Sequence, residues 1–134
     1  MKYVLWVLQV VLALFFISIV ATRYLTPWEE YIANPLTAWA VAIPPVILLI
    51  ISILEVLGAI GLILPAAMRI MPELTAWAAA GLFLTMFVAG IFHVVRGEFD
   101  LILPIVIWAS LSAFVAYGRF VLKPIPPRAQ AVVA

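Results

Sequence analysis

The chain has 134 residues, of which 69% are hydrophobic and only 10% charged, with a net charge of +1. A soluble domain is nearer half apolar and a quarter charged, so lipid is the expected solvent. With no cysteine and one histidine, disulfides, thiolate metal sites, dithiol relays and imidazole-rich metal sites are excluded. The small net charge leaves no basic surface for nucleic acid.

In chain order, Lys2 opens an apolar run that reaches Ala21. It is longer than the apolar core of a signal peptide, and no clear small-residue cleavage site follows, so it reads as a retained transmembrane helix over about residues 3–22. The next stretch, 23–44, carries Trp28, Tyr31 and Trp39 and is too apolar to lie free in water. A short interfacial or partly re-entrant helix is expected there, because Trp and Tyr favour the headgroup level. A second span is expected over 45–64, opened by Pro44-Pro45 and closed before Pro65. The third covers 75–95, with Pro72 ahead of it and Gly97 as its C-terminal cap. The fourth covers 101–122, with Pro104 near its start, Pro124 past its end and a tail over 123–134. The whole chain, 1–134, thus reads as a single all-α transmembrane domain, an antiparallel four-helix bundle with a longer first extracytoplasmic loop. The equal spacing of Pro45 to Pro65 and Pro104 to Pro124 hints at a tandem repeat of helical pairs.

Charge sets the expected orientation. Lys2, Arg69, Arg119, Lys123 and Arg128 fall on one side of such a bundle, and Arg23 and Arg96 on the other. Five against two places both termini in the cytoplasm.

Glu55 lies near the middle of the second span, in "ISILEVLGAIGLILP". An ionisable residue there costs about 3 kcal/mol on insertion scales, while each Leu, Ile or Val returns about 0.3–0.6 kcal/mol. The span holds about fourteen of these, so it inserts despite the glutamate. Ser52, Glu55, Gly58 and Ala59 share one helical face, with Gly61 adjoining; small residues on such a face suit close helix packing and turn Glu55 into the bundle. Its expected neighbours by depth are Thr85 on the third helix and Ser110 and Ser112 on the fourth. Gly81, Thr85, Ala89 and His93 step along one side of the third helix; Trp108, Ser112, Val115 and Arg119 do so on the fourth. Together they suggest one polar seam, with Glu55 in the middle, His93 near the outer end and Arg119 near the inner end. No cation is expected at the depth of Glu55, and desolvation disfavours its charged form, so a neutral carboxyl donating to a hydroxyl or carbonyl is expected. Buried ionisable groups of this kind point to function, structural pinning of helices being the plainer reading. For His93 the alternatives are a site role or anchoring at the interface. Arg119 is expected to snorkel to headgroups. Trp6, Trp28, Trp39 and Trp77 read as interface residues, and Trp108 as a possible cavity wall.

The run Glu55-x-x-Gly58-x-x-Gly61-Leu62-x-x-Pro65, His93 followed by "RGE", and "AYGR" closing the fourth helix resemble the DoxX-like family over about residues 3–122. That resemblance implies a four-helix bundle in a bacterial inner membrane, with Glu55 and His93 facing a common cavity. It implies no single activity: founding members resemble a subunit of a thiosulfate:quinone oxidoreductase, and other relatives are associated with redox-stress defence or with accessory and chaperone roles in membranes. The expected function is an accessory or binding role: holding an apolar, quinone-like or lipid-like molecule, or docking a membrane partner enzyme, through the cavity beside Glu55. A homodimer is compatible with the small-residue faces. One alternative is a proton-coupled exporter using Glu55. Another is a membrane enzyme using Glu55 and His93, although about ten residues of depth, or about 15 Å, separate the two. No haem, flavin or nucleotide site is legible, so no cofactor is expected.

Overall fold

The computed structural model describes residues 1–128; the end of the expected tail, 129–134, lies outside the described residues. The chain forms α1 (Lys2–Leu25), α2 (Trp28–Ala33), a 3-10 turn (Ala38–Ala42), α3 (Pro45–Met68), α4 (Glu73–Val95), a second 3-10 turn (Phe99–Leu101), α5 (Ile102–Tyr117) and a π-helical turn (Gly118–Leu122). The four segments Lys2–Leu25, Pro45–Met68, Glu73–Val95 and Phe99–Leu122 are long and apolar enough to cross a membrane. All expose large aliphatic side chains, among them Leu14, Leu57, Leu84 and Val106, as a surface bathed in lipid requires.

α1 packs on α3 and α5, and α4 packs on α3 and α5. Contacts pair low residue numbers with high ones. Gln9 meets Leu62 and Arg23 meets Ser52 between α1 and α3. Gly58 faces Leu82 between α3 and α4, and Phe15 stacks on Trp108 between α1 and α5. Leu12, Phe16, Ala59, Leu62, Ala79, Leu82, Met86 and Val115 form the core. A smaller cluster of Tyr31, Ala40 and Leu48, flanked by Ile32, Trp39 and Ile43, seats the α1–α3 connection against α3. That connection is folded rather than free, which its tryptophans and tyrosine already suggested.

Two helix ends differ from expectation. α1 continues past Thr22 to Leu25, so Arg23 is a helical residue. α3 runs through Pro65 to Met68 and ends where Arg69 takes a left-handed φ of 57°. Pro65 is therefore inside a helix, whereas Pro124 lies beyond the last turn, and the proline spacing marks no repeat.

The proline in α3 is accommodated by its neighbours. Pro65 has no N–H, so the Gly61 carbonyl four residues earlier loses its usual donor. Thr75 of α4 donates its hydroxyl to that carbonyl at 3.1 Å. The next carbonyl, that of Leu62, accepts from the Gln9 amide of α1 at 2.6 Å. In lipid an orphaned carbonyl has no water to turn to, so a neighbouring hydroxyl is the available partner. Thr75→Val is expected to destabilise the bundle by about 1–3 kcal/mol. Adding Pro65→Ala should restore most of that loss, because alanine returns the missing N–H. Unfolding of the two single variants and the double variant in detergent checks this, and additive effects would contradict the assignment.

Candidate functional site

A cavity of about 670 Å³ opens between α1, α3, α4 and α5, beneath the α1–α3 connection. Glu55, Thr85, His93 and Trp108 all line it, together with Arg23 and Trp39. The remaining wall is mainly aliphatic, including Ile19, Ile51 and Ile105.

Glu55 is 3% exposed and Arg23 4%. Arg23 Nη1 donates to Glu55 Oε2 at 3.0 Å and also to the Ser52 hydroxyl. Ser52 in turn donates to the Leu48 carbonyl at 2.8 Å. The expectation that no cation shares the depth of Glu55 is thus wrong, and the carboxylate accepts from a guanidinium instead of donating to a hydroxyl. The reason is stagger. α3 begins beyond the end of α1, under the connection, so Arg23 near the end of α1 meets Ser52, two turns into α3. The arginine side chain covers the remaining turn to Glu55. Pairing is how a charge is tolerated at this depth. Tyr31 of α2 places its phenol beside the same guanidinium.

Trp39 links this pair to His93. The Arg23 guanidinium lies 6.0 Å from the Trp39 ring centre, and the Trp39 ring meets His93 edge-on at 5.4 Å. Trp39, expected at the interface, is brought to the cavity wall by the 3-10 turn Ala38–Ala42.

His93 is 4% exposed, and its Nδ1 lies 3.2 Å from Glu98 Oε1. A carboxylate only accepts, so Nδ1 carries the proton. The turn after α4 creates this contact. Gly97, as expected, caps the helix with a left-handed φ of 73°. Its N–H bonds to the Val94 carbonyl at 3.0 Å, and the Glu98 N–H to the His93 carbonyl at 2.9 Å. Glu98 is thereby folded back onto His93, and Arg96 Nε donates to the same oxygen at 2.6 Å. Partial burial opposes the charged form of Glu98, but the hydrogen bonds from Arg96 and His93 outweigh it and hold the carboxyl below its usual value of 4.5. A lowered carboxylate contributes stability above its ordinary value and loses it as the pH falls through the lowered one. Hydrogen exchange at the Arg96–Glu98 turn should therefore be faster in Glu98→Gln than in wild type near neutral pH. The two should converge below the usual carboxylate range. An equal difference at both pH values would show that the carboxylate does not hold the turn.

The other expected members of the seam behave differently. Thr85 lines the cavity while donating to the Gly81 carbonyl at 3.0 Å. Ser112 is fully buried and donates to the Trp108 carbonyl at 2.9 Å, so its hydroxyl is used within α5 rather than at Glu55. Ser110 is exposed. Trp108 lies flat on Phe15, with ring centres 3.6 Å apart. Gly58 and Gly61 face Leu82 and Ala78 of α4, and Ala59 is buried in the core.

Arg119 belongs to a second polar site. Its Nε donates to Gln9 Oε1 at 2.6 Å, its Nη1 to the Lys123 carbonyl at 3.2 Å, and its guanidinium lies 5.6 Å from the Trp6 ring centre. It is 6% exposed, so it is held inside rather than snorkelling. Leu12 and Phe16 on α1 and Val115 on α5 fall between Gln9–Arg119 and the cavity residues Arg23 and Trp108. The seam is therefore two sites separated by packed core. Arg23, Trp39 and Gln9 were missed as site residues. Gln9 carried a signal, being the one amide in the apolar run of α1.

Four apolar helices around a cavity that holds a buried Arg–Glu pair define a multi-pass membrane protein with an internal site. The DoxX-like family model matches residues 7–115, and the chain belongs to that family. No curated protein and no solved structure matches the chain.

Proposed function

We propose that the protein is an inner-membrane binding or accessory bundle, with both termini cytoplasmic, whose cavity holds an apolar molecule with a carbonyl-bearing, quinone-like head. One observation carries this reading: Arg23 Nε is buried and has no hydrogen-bond partner among the described residues, although Nη1 of the same guanidinium donates to both Ser52 and Glu55. An orphaned buried N–H costs about 1–3 kcal/mol, and a ligand carbonyl removes that cost. The aliphatic wall and the Trp108 ring suit a flat apolar molecule whose polar head lies at Arg23. Redox or stress physiology is the setting that the family likeness favours.

The alternatives fit less well. Proton-coupled export by Glu55 calls for a path across the bundle, and packed core separates the two polar sites. Acid–base catalysis by Glu55 and His93 calls for a carboxyl free to exchange its proton, and Glu55 is held by the Arg23 guanidinium.

A short-chain quinone titrated into the purified protein should quench tryptophan fluorescence saturably, since Trp39 and Trp108 line the cavity. Arg23→Lys keeps a cation for Glu55 but removes the Nε–H, and should weaken binding about tenfold, the equivalent of one hydrogen bond. An alkylbenzene of the same length, lacking carbonyls, should bind no better to wild type than to Arg23→Lys. Unsaturable quenching, or equal quinone affinity in the two proteins, refutes the reading.

A further inference from the structure

A second cavity of about 500 Å³ lies where α1 begins and where α3 and the π-turn end. Four cationic residues line it, Lys2, Arg69, Arg119 and Lys123, and among the described residues no acidic one does. Cationic residues at a helix end are by themselves ordinary for a membrane protein. Arg119 is not ordinary. It is 6% exposed, and its Nη2 is buried with no partner among the described residues. Gln9 and the Lys123 carbonyl hold the other two nitrogens, so the guanidinium plane is fixed with one edge uncommitted.

The rest of the site is built rather than left open. After the π-turn the chain folds back on the end of α3: Arg69 Nε donates to the Pro126 carbonyl at 3.1 Å, and the Arg128 N–H donates to the Arg69 carbonyl at 2.8 Å. Pro124, Ile125 and Pro126 thereby line the cavity, with Trp6 as a further apolar wall. Cations gathered against apolar walls repel one another, and a bound anion removes that repulsion. A tetrahedral oxyanion suits the uncommitted Arg edge and the exposed lysine ammoniums together.

We infer that this cleft binds a phosphate group, supplied by an anionic phospholipid headgroup or by free phosphate. Basic pockets between membrane helices take such headgroups. The site is separate from the Arg23–Glu55 cavity, so its test is independent of the quinone titration.

The full chain in detergent is melted with added phosphatidylglycerol, phosphatidylcholine or inorganic phosphate, and bound lipid is counted by native mass spectrometry. Phosphatidylglycerol is expected to raise the melting temperature and to be retained, while phosphatidylcholine is not. Arg119→Gln should weaken retention about tenfold, the loss of one charge-assisted contact. Because Arg119 also holds Gln9, the paired variant Lys2→Gln/Lys123→Gln, both exposed at the surface, repeats the test without touching the core. A shift from the lipid alone assigns the site to a headgroup, and an equal shift from inorganic phosphate assigns it to free phosphate. Equal retention of phosphatidylcholine and phosphatidylglycerol, or unchanged anion response in the Lys2→Gln/Lys123→Gln variant, overturns the inference.

Discussion

Glu55→Leu is expected to destabilise the bundle by about 3–5 kcal/mol, and Arg23→Leu by a similar amount, because each leaves the other charge buried and unpaired. The Arg23 and Glu55 side chains are 2% and 4% exposed, so neither survivor reaches water without rearrangement. The double variant Arg23→Leu/Glu55→Leu should recover most of the loss, since a buried pair replaced by apolar side chains of similar bulk is often close to neutral. Ser52 then keeps its bond to the Leu48 carbonyl and is left without a guanidinium, a small residual cost. Unfolding of all four proteins in the same detergent measures the coupling. If the double variant loses as much as the two single variants combined, the pair is not what ties α1 to α3. The same series separates stability from ligand binding: the stable double variant should still fold while losing quinone affinity.

The second large effect is expected at Gly61. A Cβ there would lie 2.8 Å from the Ala78 Cβ, an atom bonded directly to the α4 backbone that no rotamer change moves. Gly61→Ala must therefore push α3 and α4 apart, at about 1–3 kcal/mol. The Thr75 hydroxyl that serves the Gly61 carbonyl spans the same gap, so its bond stretches too. Gly58→Ala meets the fully packed Leu82 side chain and should follow closely. Gly81 is the control. An added Cβ there meets nothing within 4 Å, and Gly81→Ala should stabilise α4 by up to about 1 kcal/mol through helix propensity. Equal thermal behaviour of Gly61→Ala and Gly81→Ala would show that the α3–α4 contact is not close-packed at this point.

Much of the site was legible in the chain. Glu55 had to face inward because Ser52, Gly58 and Ala59 share its face, and all three are buried or packed against a neighbour. His93 and Thr85 did share its cavity. What failed was depth. Aligning spans by their ends assumes that helices start and stop at one level, and the stagger of α1 against α3 breaks that assumption at Arg23. The seam failed for a related reason. Residues four apart on one helix share a face, but the chain runs from Trp108 of α5 at one cavity to Arg119 of the π-helical turn at another, across the core at Val115. Pro65 read as a stop because a soluble helix has little to offer a carbonyl freed by proline; here Thr75 offers a hydroxyl.

Composition and hydropathy decided the solvent and the number of spans, because insertion energies add residue by residue along one helix, and the small residues around Glu55 decided the inward face of α3. They also showed where the glycines permit close approach. The ion pair, the hydroxyl that covers the proline, the placement of Trp39 and the division into two sites were decided only by tertiary structure. Each depends on the axial offset between helices that are distant in sequence, and that offset is set by packing of whole faces rather than by any local pattern.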